Sequence, residues 1–154
     1  MKFSLALRIP PVLLTIITGV LMWLISKTNS PLLLPETLRF SSVIVLAVTA
    51  SAVGLAGVAA FRRAETTVNP LSPENCSSLV ESGIFRFTRN PMYLALLLAL
   101  IAWGILLGNL WSLSMVVVFV LYINRFQIKP EEEALEAAFG NAFRQYRSRV
   151  RKWL

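Results

Sequence analysis

Residues 92–128 read "MYLALLLALIAWGILLGNLWSLSMVVVFVLYINRFQI", two apolar runs joined by Gly108 and Asn109 alone. The apolar residues come in blocks, without the spacing of an amphipathic helix or the alternation of a half-buried strand. Blocks of this length are a bilayer signature. A spanning helix needs about 20 mostly apolar residues. Met92–Gly108 comes near that length. The run beginning at Leu110 or Trp111 reaches it only by continuing through "INRFQI", which puts Asn124, Arg125 and Gln127 near or within the membrane boundary. The two-residue connection predicts a tight antiparallel helical hairpin.

Working outward, Phe40–Phe61, "FSSVIVLAVTASAVGLAGVAAF", reads as a further span, and residues 9–26 as the first. The N-terminus has the outline of a signal peptide. Its apolar run from Ile9 to Ile25 is long for that role and no small-x-small site follows, so it is read as an uncleaved span. Composition agrees: 56% of the 154 residues are hydrophobic and 15% charged, where a soluble domain has about 25% charge. The expected fold class is all-α, a polytopic membrane protein with four transmembrane helices plus a C-terminal interfacial amphipathic helix. Gly54 and Gly57 allow close helix approach in the second span.

The cations set the orientation. Lys2 and Arg8 precede the first span, and Arg62, Arg63, Arg86 and Arg89 separate the second from the third. Arg125, Lys129, Arg144, Arg147, Arg149, Arg151 and Lys152 end or follow the fourth, and only Lys27 and Arg39 fall on the other side. This bias places both termini and the long connector in the cytoplasm. It also accounts for the net charge of +7, so no nucleic-acid partner is expected. The connector holds Pro70, Pro73 and Pro91 and the polar stretch "SPENCSS".

Several chemistries are excluded. Cys76 is the one cysteine and there is no histidine or aspartate. An intrachain disulfide, a thiolate cluster, a Ser-His-Asp triad and a histidine-bound zinc are all ruled out; no metal is expected. An enzyme built from this chain works with Glu, Arg, Tyr, main-chain groups and a cofactor.

Two polar clusters share the cytoplasmic face. In "IFRFTRNPMY", residues 84–93, each residue has a structural role open to it. Asn90 suits a helix N-cap and Pro91 the first helical position. Arg89 can reach headgroups and Tyr93 fits the interfacial aromatic belt. The second cluster follows Pro130, "EEEALEAAFGNAFRQYRSRVRKWL". At about 100° per residue, Leu135, Phe139, Phe143, Tyr146 and Val150 form one stripe, with Arg144, Arg149, Arg151 and Lys152 outside it. Cations so placed favour anionic membrane lipid. Glu132 falls on the centre line of the stripe, flanked by Glu131 and Glu133, while Gly140 is a point of interruption. Acids in a first helical turn complement the helix dipole. One aimed at an apolar contact surface still wants a cation or a ligand.

"RNPMY", an apolar hairpin, "EE", and then "FG" with the closing "RKWL" together resemble the integral-membrane methyltransferases. That group includes the isoprenylcysteine carboxyl methyltransferases and the phospholipid N-methyltransferases. The likeness runs from about Arg62 to Leu154 and includes "LVESGIFRFTRNPMY". It implies S-adenosyl-L-methionine as methyl donor, bound from the cytosol, and a lipophilic small-molecule or lipidated acceptor. It implies that Arg89, Asn90, Pro91, Tyr93, Glu131 and Glu132 hold the cofactor. It also divides the chain into a two-span hairpin, 1–61, and a catalytic core, 62–154, packed as one membrane domain. Two positions depart from the pattern: Asn90 stands where the carboxyl methyltransferases usually have histidine, and Phe85 where tyrosine is common. Asn90 still donates and accepts hydrogen bonds but does not titrate near neutral pH.

The leading expectation is isoprenylcysteine carboxyl methyltransferase-like transfer, with Arg89 or Arg125 placing an acceptor carboxylate and Glu132 pairing the cofactor ammonium. An amine acceptor must lose a proton, with Glu131 or Glu132 as base; this is the phospholipid N-methyltransferase alternative. A non-catalytic membrane scaffold with a basic lipid-binding tail is the third reading, and a homo-oligomer contributing helices to the pocket stays open.

Overall fold

The computed structural model describes residues 9–28, 30–64 and 79–154. Lys2, Arg8, Pro70, Pro73 and Cys76 lie outside the described residues. Among these, the regular elements are α1 Pro11–Ile25, α2 Glu36–Arg63, a 3-10 turn Gly83–Arg86, α3 Pro91–Leu107 and α4 Leu110–Ile123. A π turn, Asn124–Ile128, then leads into α5 Lys129–Phe139, and α6 Asn141–Arg149 follows. An isolated antiparallel bridge joins Pro31 to Asn109, and every other regular element among the described residues is helical.

Two helices are long and apolar enough to cross a membrane: α2, with 28 residues, and the unbroken helix Leu110–Phe139, with 30. The sequence suggested four. α1 and α3 have 15 and 17 residues, roughly 23 and 26 Å at 1.5 Å per residue. A hydrocarbon core is about 30 Å thick. Their prolines set their starts, since Pro11 and Pro91 occupy first helical positions where a missing N–H costs nothing.

The expected hairpin between α3 and α4 is present. Gly108 takes the left-handed conformation, φ +62°, and Asn109 caps α4 by accepting from the Ser112 amide at 3.0 Å. The α1–α2 connector is stitched to the same end: Asn109 Nδ2 donates to the Thr28 carbonyl at 2.9 Å, and the Leu32 amide to the Gly108 carbonyl at 2.8 Å. At the opposite end Gln127, fully buried, donates to the Ile9 carbonyl at 2.6 Å. The four apolar helices therefore run alternately up and down. One core joins Met22 of α1, Tyr93 and Leu100 of α3, Phe119 and Ile123 of α4, and Ile128.

Close approaches fix the packing. A Cβ on Gly57 would lie 3.3 Å from Pro91 and Met92, and one on Gly54 3.3 Å from Ala95. The small-residue face of α2 thus packs on α3 within this chain. At Gly104 a Cβ would meet Leu113 Cδ1 at 2.9 Å, Met22 Cε at 3.0 Å and the Leu113 Cα at 3.2 Å. Here three helices converge.

The C-terminal half corrects one expectation. The expected C-terminal interfacial helix does not begin afresh at Pro130. Instead the helix of α4 runs on through it, because the π turn ahead displaces the usual hydrogen bonding and Pro130 sits where no N–H is required. The break comes at Gly140, whose φ of +52° is readily adopted by glycine alone. The amphipathic segment is therefore two helices. Its stripe faces protein: Phe143 and Tyr146 are buried against Ala60, Val80 and Phe85, with Leu135, Phe139 and Val150 partly covered beside them.

Gly104→Val should lower stability by about 1–3 kcal/mol through overpacking, read as a lower midpoint of thermal unfolding in detergent. Loss of less than the measurement error would mean that Leu113 and Met22 do not converge there.

Candidate active site

Thr88–Tyr93 lies at the end of the bundle away from the α3–α4 turn. Thr88, fully buried, accepts the Asn90 amide on Oγ1 at 3.2 Å, a local turn that leads the chain into Pro91. Asn90 itself is held out of the helical region, φ −130° and ψ 56°, as expected of a residue before proline. It occupies the N-cap position of α3 without capping it. Its side-chain amide instead donates to the Lys152 carbonyl at 2.9 Å.

Arg89 does not reach for headgroups. Its Nη2 donates to Glu132 Oε1 at 2.6 Å, and the two side chains keep 10% and 16% of their exposure. Nη1 donates to the Arg147 carbonyl at 3.1 Å and to that of Val150, and the Arg89 amide to the Arg151 carbonyl at 3.0 Å. Lys152 Nζ lies 3.9 Å from Glu132 Oε2, too far for a hydrogen bond, so that oxygen keeps its capacity as an acceptor. The Arg89 Nε–H is buried and has no acceptor.

Tyr93, buried on the first turn of α3, donates its hydroxyl to Glu131 Oε1. Glu131 has no ion-pair partner among the described contacts, whereas Glu132 has two cations. Glu133 is exposed and paired with Lys129 at 3.8 Å. This division follows from the π turn. An extra residue in one turn re-phases the helix beyond it by about 100°, and Glu131 and Glu132 come round to α3 while Glu133 stays in solvent.

Of the residues suggested by sequence, Arg89, Asn90, Pro91, Tyr93, Glu131 and Glu132 lie together around the start of α3. Arg125 does not join them; it is exposed on the π turn. The sequence also missed members of the cluster. Lys152, Thr88 and the carbonyls of Arg147, Val150, Arg151 and Lys152 complete it, and Trp153 Nε1 donates to Asn124 Oδ1 at 3.3 Å. Main-chain acceptors leave no mark in a sequence. The closing "RKWL" was a signal only as part of a resemblance.

Residues 38–142 match the phospholipid methyltransferase family. The chain belongs to that family. A protein of Haemophilus influenzae is 51% identical over 63 residues, which is 41% of this chain and all of that relative; it is described only as uncharacterized. No solved structure matches the chain. The family match and the apolar helices make this a membrane protein of a methyltransferase family.

The family's matched region ends inside α6, whose seat is set by Tyr146. Its hydroxyl donates to the Phe85 carbonyl at 2.8 Å, and burial raises its ionisation well above the usual phenol range, so it stays a neutral donor. Phe85, the departure noted above, stacks edge-on against Phe61 with centroids 5.2 Å apart. It supports α6 through its carbonyl and its ring.

Glu132→Gln should cost roughly 3 kcal/mol of stability, because it leaves the enclosed Arg89 without its counter-charge. Glu133→Gln, in an exposed pair, should change nothing measurable. Chemical unfolding of the two variants compares them, and equal midpoints would deny the Arg89–Glu132 pair its structural part.

Proposed function

We propose that this protein is a multi-pass membrane enzyme that moves a methyl group from S-adenosylmethionine to the amine of a lipophilic acceptor at the cytoplasmic face. α1 and α3 are read as spans although short, since flanking residues and local thinning accommodate a few ångströms of mismatch. The alternating helices then put the α3–α4 turn outside and the Arg89–Glu132 end inside, as the distribution of arginine and lysine requires.

One observation carries the reading of the site. Among the described residues it holds a carboxylate oxygen without a hydrogen-bond donor, Glu132 Oε2, and a buried donor without an acceptor, the Arg89 Nε–H. Those are the complements of a ligand bearing both charges. S-adenosylmethionine has an ammonium, a sulfonium and a carboxylate, so the residues present fit it. The Arg89 Nε–H would take the carboxylate, and Glu132 the ammonium through Oε2. When bound, the cofactor supplies a methyl group already activated by its sulfonium. The protein has to orient the partners and exclude water, and orientation alone is worth about 7–11 kcal/mol.

The choice of acceptor follows from which charges are free. A carboxylate acceptor, as in the isoprenylcysteine-like reading, wants a cation to place it. Arg89 and Lys152 are both turned to Glu132, and Arg125 stands apart. An amine acceptor wants a carboxyl group that can bind it and take its proton, and Glu131, held by Tyr93 and in no ion pair among the described contacts, is placed for that. The Tyr93 hydroxyl orients that carboxylate, leaving its other oxygen for the proton. The apolar groove between α1 and α3, lined by Ile16, Val20, Trp23, Leu100 and Trp103, suits a membrane-borne substrate.

Purified protein in lipid nanodiscs, given labelled S-adenosylmethionine with phosphatidylethanolamine or a prenylcysteine, should label the ethanolamine nitrogen. Glu131→Gln should lower kcat by at least about a hundredfold with cofactor affinity nearly unchanged, and Glu132→Gln should weaken cofactor binding. A base-labile methyl ester on the prenylcysteine would move the assignment to the carboxyl branch. Calorimetry detecting no cofactor binding would leave the scaffold reading standing.

A further inference from the structure

The candidate site is shut. Thr88 has no exposure, and the Arg89 and Glu132 side chains keep little of theirs. A nucleoside-sized ligand reaches these groups only if a covering element moves. Most of the surroundings are poorly placed to do so. α3, α4 and the π turn share the buried core through Tyr93, Ile123 and Ile128, and α6 is seated by Phe143 and Tyr146, 1% and 4% exposed.

The last residues differ. At Val150, φ −118° and ψ 132°, the chain leaves α6 and becomes extended. From there it crosses the start of α3 and is gripped by its main chain. The Val150 carbonyl takes Arg89 Nη1, the Arg151 carbonyl the Arg89 amide, and the Lys152 carbonyl both Asn90 Nδ2 and Thr88 Oγ1 at 2.9 and 3.3 Å. Trp153 closes the strap, half-buried against the core with its indole N–H on Asn124.

We propose that residues 150–154 are the lid of the site, with Thr88, Arg89 and Asn90 as its latch and Trp153 as its fastening. The proposal rests on the cofactor reading above and assigns the Arg89-Asn90 pair a second duty within it. Each grip on the strap is a hydrogen bond to a main-chain carbonyl, which water can replace at small net cost when the strap lifts. Lifting it does not unseat the rest. Arg89 stays fixed by Glu132 and by the Arg147 carbonyl, which belongs to α6, and α6 stays on its aromatic seat. The motion uncovers the Arg89 and Asn90 donors on the side where the anionic end of the ligand enters. It also withdraws Lys152 from Glu132, and with it the competing cation on the carboxylate assigned to the ammonium. Closing over the bound ligand excludes water.

The test compares the unaltered protein with Trp153→Ala in nanodiscs, measuring association and dissociation rates of labelled S-adenosylmethionine and hydrogen exchange at single amides. Both rates should rise about tenfold, the equivalent of one hydrogen bond and its packing, with Kd changing by less than about threefold. The Arg89 amide should exchange about tenfold faster while those of Leu94 and Leu100 hold. Trp153→Phe, which keeps the packing, should restore most of the difference. Should Trp153→Ala not fold, Asn124→Ala removes the acceptor of the indole and should shift the same rates in the same direction. An unchanged association rate with normal binding, or an Arg89 amide as protected as that of Leu100, overturns the lid. Absence of cofactor binding in the unaltered protein sinks the methyl-transfer reading and the lid with it, whereas normal binding with unaltered kinetics sinks the lid alone.

Discussion

The enclosed pair of Arg89 and Glu132 is the constraint around which this end of the molecule is organised. A guanidinium taken out of water must meet a counter-charge and have its donors satisfied, or the desolvation cost unfolds the region. Arg89 meets that demand with three separate parts of the chain: a carboxylate on α5, a carbonyl on α6 and carbonyls on the terminal strap. One side chain thereby fixes where the last twenty residues lie relative to α3. The Nε–H left over is as telling as the donors that are used, since it gives the cluster a place for something anionic.

The second constraint is the π turn. A helix with regular hydrogen bonding through Asn124–Ile128 would present the three glutamates to different neighbours. The extra residue turns Glu131 toward the Tyr93 hydroxyl and Glu132 toward Arg89, and leaves Glu133 to Lys129 in solvent. Adjacent carboxylates so acquire opposite tasks. Glu132 is charge-balanced and positions other groups. Glu131 is held by a neutral phenol and remains available to a cation.

Much of this was open to reading. The long apolar blocks, the two-residue connection and the cation bias follow from local chemistry, and the α3–α4 hairpin lies where Gly108 and Asn109 put it. Six of the seven suggested site residues gather at one place. The errors have physical causes. α1 is shorter than its apolar run suggested, and Pro130 continues a helix that it was expected to begin. Proline rules describe regular helices, and a π turn relaxes them. Arg125 was expected at the end of the fourth span as a cation able to place a carboxylate, and on the π turn it is exposed and outside the enclosed cluster.

By itself the sequence determined that the chain is helical and membrane-borne, that histidine chemistry and a thiolate cluster are absent, and that an arginine-tyrosine segment and an acidic segment share one face. Those depend on composition, block length and residue type, which are properties of the chain. Only the tertiary structure decided that Asn90 holds the terminal strap rather than capping α3, that Glu132 spends its charge on Arg89, and that Glu131 does not. Such assignments depend on which main-chain carbonyls and which helix phase come within about 3 Å of a side chain, and neither has a signature in residue identity.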